Sequence, residues 1–182
     1  MREYRQSKNI SRHVDAIRNA VELEGYVLMF DQPRVLEYNR EYVLKEEYSR
    51  NAFADCDFSM CSLDYDNRQA STCNNTLLIR SDRHGLWLRA NMGTADGLTP
   101  GTSQARVWYV MEVAGERRRV DRSRGRPVII RTILHVRRAY LFAVGDMPKR
   151  GRRSIAEQNS RTARDMLQSC STDNSRTVYS VR

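Results

Sequence analysis

The chain has 182 residues, is 40 % hydrophobic and 29 % charged, and carries a formal net charge of +9. That composition excludes a disordered or disulfide-rich scaffold and gives one folded domain long enough to bury a core. No apolar run is long enough for a transmembrane helix, and Met1-Arg2-Glu3-Tyr4-Arg5-Gln6 lacks the apolar core of a secretory signal, so the expected location is cytoplasmic or nuclear, without membrane contact.

All but three of the 31 basic residues are arginine, the exceptions being Lys8, Lys45 and Lys149. Arginine's planar fork suits phosphate and its flat face stacks on bases, although codon bias alone produces the same skew. The charge is polarised along the chain. Residues 1–75 hold ten bases and thirteen acids, a net of −3, whereas residues 117–164 hold fifteen bases and three acids, a net of +12. Such polarity either steers a polyanion to one side or neutralises itself internally.

In chain order, the first expected element is a helix. Ser11 is a fitting N-cap, Ile10, Val14, Ile17 and Val21 keep helical spacing, and Gly25 suits the closing residue. Tyr26–Phe30 reads as a short buried strand. Val35–Tyr48 keeps a helical spacing in Val35, Tyr38 and Tyr42, although its β-branched and aromatic content also permits a strand. Asn51–Asn75 has no clear period and reads as an irregular connection.

Thr76–Ser81 and Gly85–Met92 form an expected hairpin around the turn Asp82-Arg83-His84-Gly85. A long Gly- and Pro-containing loop, Gly93–Gln104, follows. Arg106–Ala114 alternates at the strand period, with Val107, Tyr109, Met111 and Val113 on one face and Arg106, Trp108, Val110 and Glu112 on the other. After a loop rich in arginine, Pro127 opens a second run. There Val128, Ile130, Thr132, Leu134 and Val136 share the expected core face, and Ile129, Arg131, Ile133, His135 and Arg137 the free one. Ala139–Val144 is apolar on both faces. Beyond a basic hinge, Ser154 and Glu157 make a capping box for a C-terminal helix reaching Leu167. Val178-Tyr179 is a candidate edge strand.

The expected fold is therefore α+β: an antiparallel sheet of four or more strands, with an N-terminal and a C-terminal helix packed on one face. One domain covers residues 1–170, and residues 171–182 form a flexible tail.

If the strands share one sheet, the free faces gather Arg80, Trp87, Arg89, Arg106, Trp108, Arg131, His135 and Arg137. The loop adds Arg117, Arg118, Arg119, Arg122, Arg124 and Arg126, and the hinge adds Lys149, Arg150, Arg152 and Arg153. Indoles stack exposed bases while arginines neutralise phosphates, a pairing that suits single-stranded RNA. The expected function is a non-enzymatic RNA- or nucleic-acid-binding domain of ribonucleoprotein or virion type, with no cofactor. One alternative is a small, metal-independent endoribonuclease using His135, Glu112 and Arg131. Another is an assembly subunit or adaptor whose tryptophans anchor a protein partner or a second copy. Cys56, Cys61, Cys73 and His84 supply four zinc-type ligands at irregular spacing, without a Cys-x2-Cys knuckle. Asp55, Asp57, Asp64 and Asp66 form an acidic cluster lacking the glycine and distal glutamate of a calcium loop.

Overall fold

Burial in the N-terminal segment alternates every second residue. Glu3, Arg5 and Ser7 are inside, and past a bulge Ile10 and Val14 are inside. This segment is a strand, β1 (Arg2–Asp15), that turns into β2 (Ala20–Met29). The turn is fixed by Asp15, whose carboxylate accepts the amides of Ile17 and Arg18 at 2.9 and 3.0 Å, and by Asn19 at φ 49°. Ile17, which was expected on a helix core face, is 97 % exposed at the hairpin tip. Gly25 lies within β2, where an added Cβ would sit 2.2 Å from the Asn9 carbonyl oxygen; close passage across the bulge, not helix closure, requires glycine there.

The computed structural model describes residues 2–123, 125–145, 161, 163 and 178–181. Its fold corrects the α+β expectation. The described residues between 2 and 145 contain no helix, and the sheet is mixed rather than antiparallel. Val35–Tyr48 is a hairpin of β3 (Arg34–Tyr38) and β4 (Val43–Tyr48), bent by Asn39, whose side-chain oxygen accepts the amides of Glu41 and Tyr42. The irregular connection contains a third hairpin, β5 (Ser62–Tyr65) and β6 (Arg68–Ser71). Asp66 and Asn67 both have positive φ there, as a two-residue hairpin turn demands.

The hairpin of β7 (Leu77–Ser81) and β8 (Gly85–Asn91) forms where it was expected. The two long strands outrun their expected limits: β9 (Gly101–Asp121) absorbs much of the arginine loop, and β10 (Val128–Val144) includes Ala139–Val144. Val178–Val181 forms β11 on the β9 edge. Most of the expected C-terminal helix, Ser154–Leu167, lies outside the described residues. Ala163 is described and is fully buried with Tyr42, Leu44 and Ile129.

The strand order is β3-β4-β10-β9-β1-β2-β8-β7, with β4 parallel to β10 and the remaining neighbours on this path antiparallel. The sheet curls on itself. The β5–β6 hairpin runs from the end of β10 towards β7, where Ser71 donates its amide to the Thr76 hydroxyl at 2.9 Å. The inner faces of β1, β2, β7, β8, β9 and the second half of β10 thus enclose one apolar core, including Ile10, Leu23, Leu63, Leu88, Tyr109 and Val136. The curl supplies the cover that helices were expected to give.

β10 reverses its expected face. Ile129, Arg131 and Ile133 point inward and are buried, while on the expected core face Ile130 and Leu134 are only half-buried and Thr132 is buried with its hydroxyl donating to Glu47. Register shifts around His135 then bring Val136 back inside. One residue of register exchanges every side chain between the two faces.

Candidate functional site

The outer face of the curled sheet carries an arginine–aromatic surface. On β7 and β8, Arg80 and Trp87 are directly paired, and the Arg80 guanidinium lies 4.8 Å from the indole centroid. Tyr26 of β2 is the next residue across, and its hydroxyl donates to Asp82 at 2.8 Å. Arg89, one pleat along, is engaged by Glu22 at 3.2 Å. On β9 Arg106 is exposed, and the half-buried Trp108 donates its Nε1 hydrogen to the Gly145 carbonyl at 2.9 Å.

Along the β9–β10 ribbon the pleat separates the arginines. Arg117 and Arg119 are exposed, opposite Thr132 and Ile130, whereas Arg118 faces inward to an ion pair with Glu116. Arg122 and Arg137 are exposed. Arg126 stacks over Tyr38, 4.7 Å from its ring centroid. Arg124, Lys149, Arg150, Arg152 and Arg153 lie outside the described residues. Among the described residues no carboxylate pairs with Arg80, Arg106, Arg117, Arg119, Arg122, Arg126 or Arg137.

Arg131 does not belong to this face, which corrects its expected place. It is buried in a charged network that the sequence reading did not find. Its Nη1 and Nη2 donate to the two oxygens of Glu3 at 2.5 and 2.7 Å, and its Nε donates to Glu116 at 2.5 Å. Glu46, fully buried on β4, accepts Arg5 Nε at 2.8 Å and Arg5 Nη2 at 2.5 Å, Arg34 Nη2 at 3.0 Å, and the Tyr48 hydroxyl at 2.7 Å. The Arg34 guanidinium sits 5.6 and 6.0 Å from the ring centroids of Tyr48 and Tyr109.

Burial alone would raise the pKa of both carboxylates. In Glu46 the charges of Arg5, Arg34 and Arg131 overcome that effect and hold it far below the usual carboxylate range. In Glu3 the hydrogen bond and charge of Arg131, with Arg5, lower it too. The available signal was the run Leu44-x-Glu46-x-Tyr48, which puts an acid between two core residues on one strand face. Glu3 and Arg5 gave no apolar period to follow.

The alternative sites are not assembled. His135 is exposed opposite Gly115. Glu112 lies opposite Arg138, accepts Arg2 Nε and the Tyr140 hydroxyl at 3.4 Å each, and has no hydrogen bond to His135 among the described residues. With Arg131 held inside, the three expected catalytic groups do not converge. Cys61 is buried with its thiol donating to the Ala139 carbonyl, Cys73 is exposed on a turn, and His84 sits at a hairpin tip. Cys56 is half-buried, and burial, helped by Cys61 and Asp57, pushes its thiol up to about 12. No three metal-type ligands come together among the described residues. In the acidic cluster Asp57 pairs with Arg138 and Asp66 with Arg68.

No helix among the described residues is long and apolar enough to cross a membrane. No protein family matches the sequence, and no curated protein or solved structure matches it either.

Proposed function

We propose that the protein is a non-enzymatic binder of single-stranded nucleic acid, with RNA as the natural class, and that the outer face of its sheet is the contact surface. The observation that carries this reading is the sorting of arginines. The inward guanidiniums Arg5, Arg34, Arg118 and Arg131 are matched to carboxylates, while the outward Arg106, Arg117, Arg119, Arg122 and Arg137 face solvent without one among the described residues. Unpaired guanidiniums attract phosphates, and the Arg80–Trp87 and Arg126–Tyr38 stacks add flat surfaces beside them.

The test is fluorescence anisotropy of a labelled oligouridylate across about 50 to 200 mM salt. The wild-type protein binds with a steep salt dependence. The Arg117→Ala/Arg119→Ala variant lowers the slope of log affinity against log salt by about 1.4, two single-strand phosphate contacts at about 0.7 each. An unchanged slope, or no binding by the wild type at low salt, ends the proposal.

A further inference from the structure

Arg12 departs from the rule that governs the other inward arginines. It projects from β1 at the same parity as Ile10 and Val14 and is half-buried, yet it has no carboxylate partner among the described residues. Its Nη1 donates to the Tyr65 hydroxyl at 2.5 Å, the Tyr65 ring lies 5.9 Å from the guanidinium carbon, and its buried Nε has no partner. A buried N–H left without an acceptor is costly, and a bound anion would supply both an acceptor and a counter-charge.

Space for one exists. Where β1, β9, the end of β10 and the β5–β6 hairpin meet, a cleft of about 430 Å³ is lined by Arg12, Tyr65, Ser103, Gln104, Arg106 and Val144. Among the described residues the lining contains two arginines, the hydroxyls of Tyr65 and Ser103, an amide and no acid. Arg12 and Ser103 are cross-strand partners, so a cation and a hydroxyl enter from adjacent strands. Arg106 is exposed and, among the described residues, likewise without a carboxylate. Guanidinium forks match phosphate oxygens, and a phosphomonoester carries charge enough for two of them. The volume falls in the range of small-molecule sites, which leaves room beside the phosphate for an organic group against Val144.

We propose that this cleft is a phosphomonoester site, with Arg12 and Arg106 holding the phosphate and the cleft receiving the attached nucleoside. The phosphate belongs either to a free nucleotide or to the 5′ end of a nucleic-acid strand. The site shares Arg106 with the outer surface but uses neither Arg117 nor Arg119, and it stands if those two do not bind nucleic acid.

Isothermal titration of the full chain tests it, with uridine 5′-monophosphate and uridine as probes. The nucleotide binds, and the nucleoside binds at least about tenfold more weakly. Arg12→Gln weakens nucleotide binding by about tenfold or more, and Arg106→Ala, at an exposed position that leaves the fold intact, by about threefold or more. In the Arg117→Ala/Arg119→Ala background, 5′-phosphorylated and unphosphorylated oligouridylates identify the source. A preference for the phosphorylated strand above the affinity for the free nucleotide assigns a strand end. The reverse order assigns a free nucleotide. The proposal falls if neither the nucleotide nor the phosphorylated strand binds better than its dephosphorylated counterpart, or if Arg12→Gln and Arg106→Ala both bind like the wild type.

Discussion

Replacing Glu46 by glutamine removes one charge and changes almost no volume, at the point where the buried network is densest. Oε1 of Glu46 accepts Arg5 Nε, Arg34 Nη2 and the Tyr48 hydroxyl, and Oε2 accepts Arg5 Nη2 at 2.5 Å and Arg131 Nη1 at 3.3 Å. Glutamine can keep the first three as an acceptor, but its NH₂ then opposes two guanidinium donors. Two charge-assisted bonds are lost at about 1.5–3 kcal/mol each. Seen instead as the breaking of a buried ion pair, the same loss costs about 3–5 kcal/mol in comparable cases, so the two figures describe one effect and are not summed. The expected loss is about 4 kcal/mol, a large part of the roughly 5–15 kcal/mol that holds a domain together. Urea unfolding at neutral pH, followed together by tryptophan fluorescence and far-ultraviolet circular dichroism, reads it as a midpoint lower by about 1.5–2 M. Arg89→Ala is the control. Its ion pair with Glu22 has side chains 52 % and 33 % exposed, so its loss moves the midpoint little. A Glu46→Gln midpoint within about 0.5 M of the wild type, at unchanged slope, would refute the argument that burial makes this network costly to break.

The pH dependence of stability follows from the same carboxylates. Glu3 and Glu46 are held below the ordinary value of 4.5, so their contribution is complete above that pH and is lost as the pH falls towards their folded values. The urea midpoint should stay level from neutrality to about pH 5 and drop steeply below about 4.5, less so in Glu46→Gln; a level midpoint down to about pH 3 contradicts this. Gly85→Ala places a Cβ 2.1 Å from the Leu28 carbonyl oxygen, backbone against backbone, and should lower the thermal midpoint by an amount equivalent to at least about 1–3 kcal/mol. Ile17→Asp, at a hairpin tip, should leave stability within about 0.5 kcal/mol of the wild type, whereas a helix-core position would lose several times that; calorimetry separates the two.

The N-terminal segment shows why spacing alone misled. Ile10 and Val14 are four apart, and four is both about one helical turn and two strand repeats. The residues that decide between the two are Glu3, Arg5 and Ser7, which carry the strand alternation but are polar, so the pattern is hidden from a hydrophobic count. β7–β8 was legible because its inward residues Leu77, Leu86, Leu88 and Ala90 are apolar and its turn begins with Asp82, whose carboxylate accepts the amides of His84 and Gly85. β10 was legible as a strand but not in its facing. Ile129, Ile130, Ile133 and Leu134 offer apolar groups to both sides, and the charged residue that breaks the tie, Arg131, goes inside because Glu3, Glu46 and Glu116 wait there. Glu3 and Glu46 lie 128 and 85 residues away, beyond any local window, and Glu116, 15 residues away, meets Arg131 only once β9 and β10 pair.

The same long-range pairing decides what the polarised charge of the chain means. Self-neutralisation between the two parts is real and operates at particular positions: inside, Glu3 and Glu46 from the acidic part engage Arg131 of the basic part, and at the surface Asp57 engages Arg138. In a curled sheet an acid that points inward cannot also shield an arginine on the outer face. Placing Glu3, Glu46 and Glu116 inside, beside Arg5, Arg34, Arg118 and Arg131, therefore leaves Arg117, Arg119, Arg122 and Arg137 outside without those carboxylates. Had β10 kept the facing read from its apolar residues, Arg131 would lie outside, and Glu3 and Glu46 would lack a principal counter-charge within. The unpaired outer surface and the paired interior are thus two results of one register, and a variant that alters the register of β10 should disturb both stability and polyanion binding together.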